Sequence, residues 1–147
     1  MENSPSTLMP ITIGRTFYMG VDPVMEQNNA IYREQSLLVQ ELAEKSDCVI
    51  VGRSADYILR DKDPLRLFIY ADMESCMERC RKRAPEQEHF TDKELRRHIQ
   101  DVDKKRSKYY QFFTGQTWGD KLNYDLCINT SGADIEALVK VIAKLVK

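Results

Sequence analysis

The sequence predicts an α/β protein: a parallel sheet flanked by helices on both faces, in three layers. Three short runs carry that expectation: Cys48–Gly52, Arg66–Ala71 and Asp125–Asn129. They are rich in apolar, β-branched and aromatic residues and show little polar alternation, the pattern of strands covered on both faces. Longer stretches of helical periodicity stand between them, and parallel strands need such crossovers.

Along the chain, residues 1–23 read as irregular, broken by Pro5, Pro10, Gly14, Gly20 and Pro23 around one strand-like run, Ile11-Thr12-Ile13. From Val24 to Lys45 the pattern is helical, with Ile31, Leu38, Val39 and Leu42 as an apolar stripe. The Cys48–Gly52 strand leads to a short helix over Ser54–Arg60, stopped by Asp61-Lys62-Asp63-Pro64. After the second strand, Glu74–Arg83 is a helix running into a loop at Pro85. Thr91 and Glu94 have capping-box spacing and open a charged helix to about Phe112. A glycine- and aromatic-bearing loop, Thr114–Gly119, precedes the third strand. The last helix starts near Ala133 and sets Ile135, Leu138, Val139, Ile142 and Val146 along a core-facing stripe. The 147 residues suit a single domain.

Composition narrows the function. Hydrophobic residues make up 42% and charged residues 31%, ordinary values for a soluble globular protein. Apolar runs are only a few residues long, as in Cys48-Val49-Ile50-Val51, far short of the roughly 20 needed to span a bilayer. Met1-Glu2-Asn3-Ser4-Pro5 has no basic flank before an apolar core, so the expected location is cytoplasmic. Cys48, Cys76, Cys80 and Cys127 form no CxxC pair and are expected as free thiols; no metal site is expected, His89 and His98 included. The net charge of −1 conceals a basic segment: Arg79–Lys108 holds 11 Lys and Arg against 6 Asp and Glu. A basic segment on an acidic body suits an anion such as phosphate, and equally a solvated helix face. The six glycines, at 14, 20, 52, 115, 119 and 132, make neither GxGxxG nor GxxxxGK.

Three constellations are candidates for chemistry. In Gly52-Arg53-Ser54-Ala55-Asp56 the arginine follows a strand end, where open α/β sheets bind ligands. A guanidinium there grips phosphate with two parallel hydrogen bonds, or pairs with a surface carboxylate such as Asp56 or Asp61. The second is Asp103-Lys104-Lys105-Arg106-Ser107-Lys108, whose composition suits a lid closing over phosphates or a solvated helix with internal ion pairs. Arg79 and Arg83, four apart, extend the same positive surface, so residues 79–119 read as a basic, lid-like region. Third, Tyr109-Tyr110-Gln111-Phe112-Phe113 and Trp118 interleave aromatics with cations; hydrophobic anchoring of the lid base is the reading favoured over base stacking, and nucleic acid is not an expected partner. Gly115–Lys121 imitates a Walker sequence but has GxxxG spacing and follows a helix.

In order and spacing these stretches resemble the cytidylate kinase-like family, relatives of the P-loop nucleoside monophosphate kinases. The resemblance rests on Ile31–Gln35 with Glu41–Lys45, on Cys48–Leu59 with its Gly-Arg-Ser-Ala-Asp, and on Leu67–Ala71. It continues through Asp103–Tyr110, Thr114-Gly115 with Trp118, and Tyr124–Thr130.

The resemblance implies phosphoryl transfer from ATP, with Mg2+, to a CMP-like nucleoside monophosphate. It implies that Arg53 holds the acceptor phosphate, that Arg33 is a second acceptor-site arginine, and that Arg106 with Lys104 and Lys105 is the lid cation set. Asp103 would orient those cations or contact the acceptor. The family opens on a strand, a glycine-rich loop and a helix that hold the donor triphosphate. Here Ile11–Phe17 echoes such a strand, but Tyr18-Met19-Gly20-Val21-Asp22-Pro23 is not a phosphate loop. The expectation is therefore a single, incomplete kinase-like domain over residues 1–147: a P-loop-kinase-like sheet lacking its first strand and P-loop, with acceptor and lid residues retained, no donor site, and phosphoryl transfer belonging to the complete form. In such kinases the first strand lies between those corresponding to 48–52 and 66–71. Without it, these two pair directly, borrow Ile11–Ile13, or leave backbone groups unpaired. The rival readings are a non-catalytic nucleotide- or phosphate-binding module, and an interaction protein whose sheet is completed by another chain, a homo-oligomer included.

Overall fold

The structure is a computed structural model that describes residues 11–13, 16–18, 23–83 and 90–145. It divides into two compact units, Met1–Val51 and Gly52–Lys147.

In the first unit β1 (Ile11–Ile13) and β2 (Thr16–Tyr18) pair antiparallel, with Ile11 opposite Tyr18 and Ile13 opposite Thr16. The expected strand at Ile11–Ile13 therefore forms. The expected breakers Pro5, Pro10, Gly14 and Gly20 lie outside the described residues. Helix α1 spans Pro23–Lys45. Proline suits a first helical position because its absent N–H has no partner there anyway. Glu26 in the first turn and Lys45 in the last complement the helix dipole, and Lys45 pairs with Glu41 at 2.5 Å one turn back. Of the apolar stripe on α1, Val39 is buried while Ile31, Leu38 and Leu42 stay exposed.

The Cys48–Gly52 strand does not form. Residues 47–51 have no regular structure, and Val49 and Val51 are 94% and 89% exposed. A strand persists only where a neighbour takes its N–H and C=O groups, and no described strand pairs with this run. β-Branched residues favour extended backbone, but that preference needs a ladder to act on.

The second unit is mostly helical around two parallel strands, β3 (Leu67–Tyr70) and β4 (Leu126–Asn129), in register from Leu67 opposite Leu126 to Tyr70 opposite Asn129. The expected three-strand parallel sheet is thus a two-strand sheet among the described residues. Both ends of the pair are clamped by side chains. At the entry, Arg66 donates to Asp125 from its backbone N–H (2.7 Å), Nε (3.2 Å) and Nη2 (2.9 Å). That bonding holds the Asp125 carboxyl below its ordinary range. At the exit, the Thr130 N–H and hydroxyl both donate to the Tyr70 carbonyl, at 2.8 and 3.0 Å.

The unit also holds four helices: α2 (Ala55–Ile58), α3 (Met73–Arg83), α4 (Asp92–Thr114) and α5 (Ile135–Ala143). A 3-10 turn over Arg60–Lys62 follows α2. Helices α3 and α4 lie side by side, with Arg96 on Glu74 at 3.0 Å and Arg81 on Asp92. The capping box opening α4 is present: the Glu94 N–H donates to Thr91 Oγ1 and the Thr91 N–H to Glu94 Oε2. Gly115, at φ 70°, closes the helix two residues beyond the expected end.

Buried side chains gather where α2 meets the C-terminal half of α4: Ser54, Ala55, Ile58, Leu59, Tyr110 and Thr114. The α5 stripe is less covered than its periodicity implies. Leu138 and Ile142 are half-buried while Ile135 and Val139 stay exposed, because a two-strand sheet offers little area to cover a helix face.

Candidate functional site

The site grows from a turn the chain adopts against its local preference. Gly52, Arg53 and Ser54 occupy the left-handed region in succession, at φ 74°, 58° and 53°. Glycine accepts that conformation freely, whereas each L residue there costs about 1–2 kcal/mol. The turn closes through Ala55 N–H to Gly52 O at 3.2 Å and Ile58 N–H to Ser54 O at 2.9 Å. Ser54 is 4% exposed, and its hydroxyl is buried with no partner among the described residues. Arg53, by contrast, is exposed and makes no hydrogen bond or ion pair among the described residues. Strand-end geometry was the sequence argument for Arg53; the structure replaces the strand with this turn.

Of the two carboxylates open to Arg53, Asp56 is taken elsewhere. The Tyr110 hydroxyl donates to Asp56 Oδ2 at 2.6 Å and lies 2.9 Å from the Gln116 side-chain amide. A phenol has one proton, so Asp56 Oδ2 and Gln116 Oε1 both accept from the same hydroxyl, and the shorter bond goes to the charged carboxylate. Tyr110 is itself secured: the Thr114 hydroxyl donates to its carbonyl at 2.6 Å and accepts the Gln116 N–H at 3.0 Å. Burial first, and the Asp56 hydrogen bond second, push the Tyr110 phenol far above its ordinary value, so it remains a donor.

This contact brings the two main constellations of the second unit onto adjoining elements. Arg106 stands one helical turn before Tyr110 and Asp103 about two turns before it, so the side of α4 that meets Asp56 also carries that pair. Asp103 Oδ1 accepts from Arg106 Nη1 at 2.9 Å, while Lys104 and Lys105 are exposed and unpaired among the described residues.

The remaining predicted cations are placed as follows. Arg79 donates to Thr130 through Nη1 to Oγ1 at 2.9 Å and Nη2 to the carbonyl at 2.5 Å, bracing the exit of β4. Arg83 is exposed at the end of α3. Arg33 belongs to the first unit, exposed on α1, with Nε donating to the Asn29 carbonyl at 3.4 Å. His89 lies outside the described residues, and His98 stacks on Phe90 at 5.7 Å.

The aromatic loop anchors rather than opens. Trp118 meets the Phe68 ring edge-on at 5.2 Å, and Tyr124 lies 5.0 Å from the same ring. Sequence reasoning did not find the Tyr110–Asp56 bond or the Thr130 brace. The Tyr-Tyr spacing pointed only to an apolar anchor, and no pattern links residues 54 positions apart.

A donor triphosphate with magnesium asks for oxygen ligands converging on a glycine-rich cradle. Among the described residues no group of three or more His, Cys, Asp and Glu side chains is placed to hold a metal ion. Asp56, Asp103 and Asp125 are engaged by Tyr110, Arg106 and Arg66. The described residues do not fit that group. No helix among the described residues is long and apolar enough to cross a membrane.

A sequence profile of the cytidylate kinase-like family matches residues 2–132, and the chain belongs to that family. No curated protein matches the sequence. The crystal structure of an uncharacterized protein from Eubacterium ventriosum is similar at a TM-score of 0.71 and 29% identity, over 82% of this chain and 74% of that one.

Proposed function

We propose that this member of the cytidylate kinase-like family binds the phosphate of a CMP-like nucleoside monophosphate at Arg53. In the same proposal Arg106, Lys104 and Lys105, oriented by Asp103, are retained lid cations, which in the complete form of the kinase would steady the phosphoryl group transferred from ATP. Arg33 is the second acceptor arginine in this reading, and Arg83 adds to the positive surface. Arg79 is the weakest member of the set, because its guanidinium already serves Thr130. The architecture that goes with this function is the three-layer sheet of the P-loop kinases over a single domain, with ATP and Mg2+ held by a glycine-rich loop. These 147 residues contain no such motif.

One observation carries the reading. Arg53 is exposed on a left-handed turn and unpaired among the described residues, while its neighbouring carboxylate, Asp56, is bound to Tyr110 of the cationic helix. A free guanidinium on a defined turn is what bidentate phosphate binding requires.

Titration calorimetry with CMP, UMP, dCMP and ATP tests it. Monophosphates are expected to bind and ATP not to. Arg53→Ala should weaken monophosphate binding by about 10- to 100-fold, the loss of hydrogen bonds to a charged group. Monophosphate affinity indifferent to Arg53→Ala would overturn the assignment. The same glycine pattern favours a second reading, a binding module without turnover. Magnesium-dependent phosphorylation of CMP or UMP by the chain alone, abolished by Arg53→Ala, would exclude that second reading.

A further inference from the structure

The turn carrying Arg53 holds two non-glycine residues in the left-handed region, so it has a lower-strain alternative and needs something to keep it. Its own backbone bonds are local, reaching from Ala55 to Gly52 and from Tyr57 and Ile58 to Ser54. Among the described residues, the hydrogen bond that ties it to a distant element is the 2.6 Å bond between Asp56 and Tyr110. Tyr110 is 5% exposed and fixed through Thr114 and Gln116, so the donor is rigid. Asp56 lies three residues past Arg53, close enough in sequence to neutralise it if released.

We propose that the Tyr110–Asp56 hydrogen bond is a latch: it pins the Gly52–Asp56 turn and keeps the Asp56 carboxylate off Arg53, so that Arg53 is available to an acceptor phosphate only while α4 is seated. Tyr110 and Asp56 are positioning residues here, and the second half of the inference rests on the acceptor reading above. The latch couples lid and acceptor site without a shared ligand. A helix that lifts frees a carboxylate beside the phosphate-binding arginine, and one that reseats withdraws it. Charges facing Asp56 include Arg66, whose electrostatic field it shares but whose hydrogen bonds go to Asp125.

The test uses the full chain and two readouts. Tyr110→Phe keeps the ring and removes the donor. Hydrogen exchange at the Ala55, Tyr57 and Ile58 amides should accelerate about tenfold, the effect of one hydrogen bond to a charged group, without matching acceleration in β3. CMP affinity should fall about tenfold by the same measure. Adding Asp56→Asn to Tyr110→Phe removes the released charge and should restore CMP affinity, a rescue that a merely structural role would not give. In the Tyr110 background, Asp56→Asn keeps an acceptor for the phenol and should preserve the slow exchange that Asp56→Ala loses. Wild-type exchange at these amides in both Tyr110→Phe and Asp56→Ala would overturn the latch. If the wild-type chain bound no monophosphate, the acceptor reading would fall, and the exchange measurements would still decide the latch.

Discussion

Gly119→Ala separates two costs that the structure assigns to one position. The residue lies between α4 and β4 at φ 80°, and a Cβ there would come within 2.9 Å of Phe68 Cζ and 3.3 Å of Cε1. An aromatic ring tip often swings aside, but this one is held by Trp118, Tyr124 and Tyr70, at 5.2, 5.0 and 6.1 Å between centroids. Forcing an L residue into the left-handed region costs about 1–2 kcal/mol, and overpacking a confined contact about 1–3 kcal/mol. The expected loss is therefore about 2–5 kcal/mol, a large share of the roughly 5–15 kcal/mol by which domains are stable.

Gly115→Ala is the matched control. Its φ is 70°, and a Cβ there would meet nothing within 4 Å, so it bears the conformational cost alone. Urea unfolding of the two variants and the wild type, followed through the chain's single tryptophan, measures the difference. Trp118 adjoins Gly119 and packs on the same Phe68 ring, so its emission reports directly on the contact. Gly119→Ala should be the more destabilised variant by about 1–3 kcal/mol. Equal losses in the two variants would refute the claim that the aromatic cluster confines Phe68.

Two further predictions concern the ends of elements. Arg66 lowers the Asp125 carboxyl from its ordinary 3.8, so its contribution to stability is present above that value and lost as pH falls through the lower folded-state value. Both side chains are over a third exposed, which limits the pair to under about 1 kcal/mol; Asp125→Asn should show a smaller drop in urea midpoint between pH 6 and pH 3 than the wild type. Thr91→Ala removes the capping box and should cost about 1 kcal/mol in thermal unfolding, whereas a change under about 0.3 kcal/mol would place the start of α4 outside the stabilising structure.

What the sequence disclosed, and what it did not, divides along the range of the interactions. Thr91 and Glu94 sit three apart, so their reciprocal hydrogen bonds were readable before any fold was known. The β3 and β4 runs were readable too, since each is apolar enough to need a partner and each has the other. Cys48–Val51 looked the same in composition, yet no described strand stands beside it and it is irregular. Composition states what a segment can do, and pairing decides what it does. For the site, Arg53 was legible as a cation after a glycine in a buried-looking context. Its availability was not, because it depends on Tyr110 engaging Asp56 across 54 residues.

That bond bears on how the second unit orders the turn at Arg53, the proposed acceptor residue, with only a small sheet beside it. In open α/β sheets the carboxyl ends of the strands aim the binding residues, and rigidity comes from the ladder. Among the described residues the parallel ladder is two strands wide, and the residue before Gly52 belongs to no strand. Order at Arg53 comes instead from the other side. The buried Ala55, Ile58 and Leu59 seat the short helix, and Tyr110 fixes Asp56 from above it. The shape of the turn is then a property of α4 more than of the sheet. It follows that substitutions at Tyr110 or Thr114 should disturb Arg53 more than substitutions along β3 do, the reverse of the order expected where strand ends carry the site.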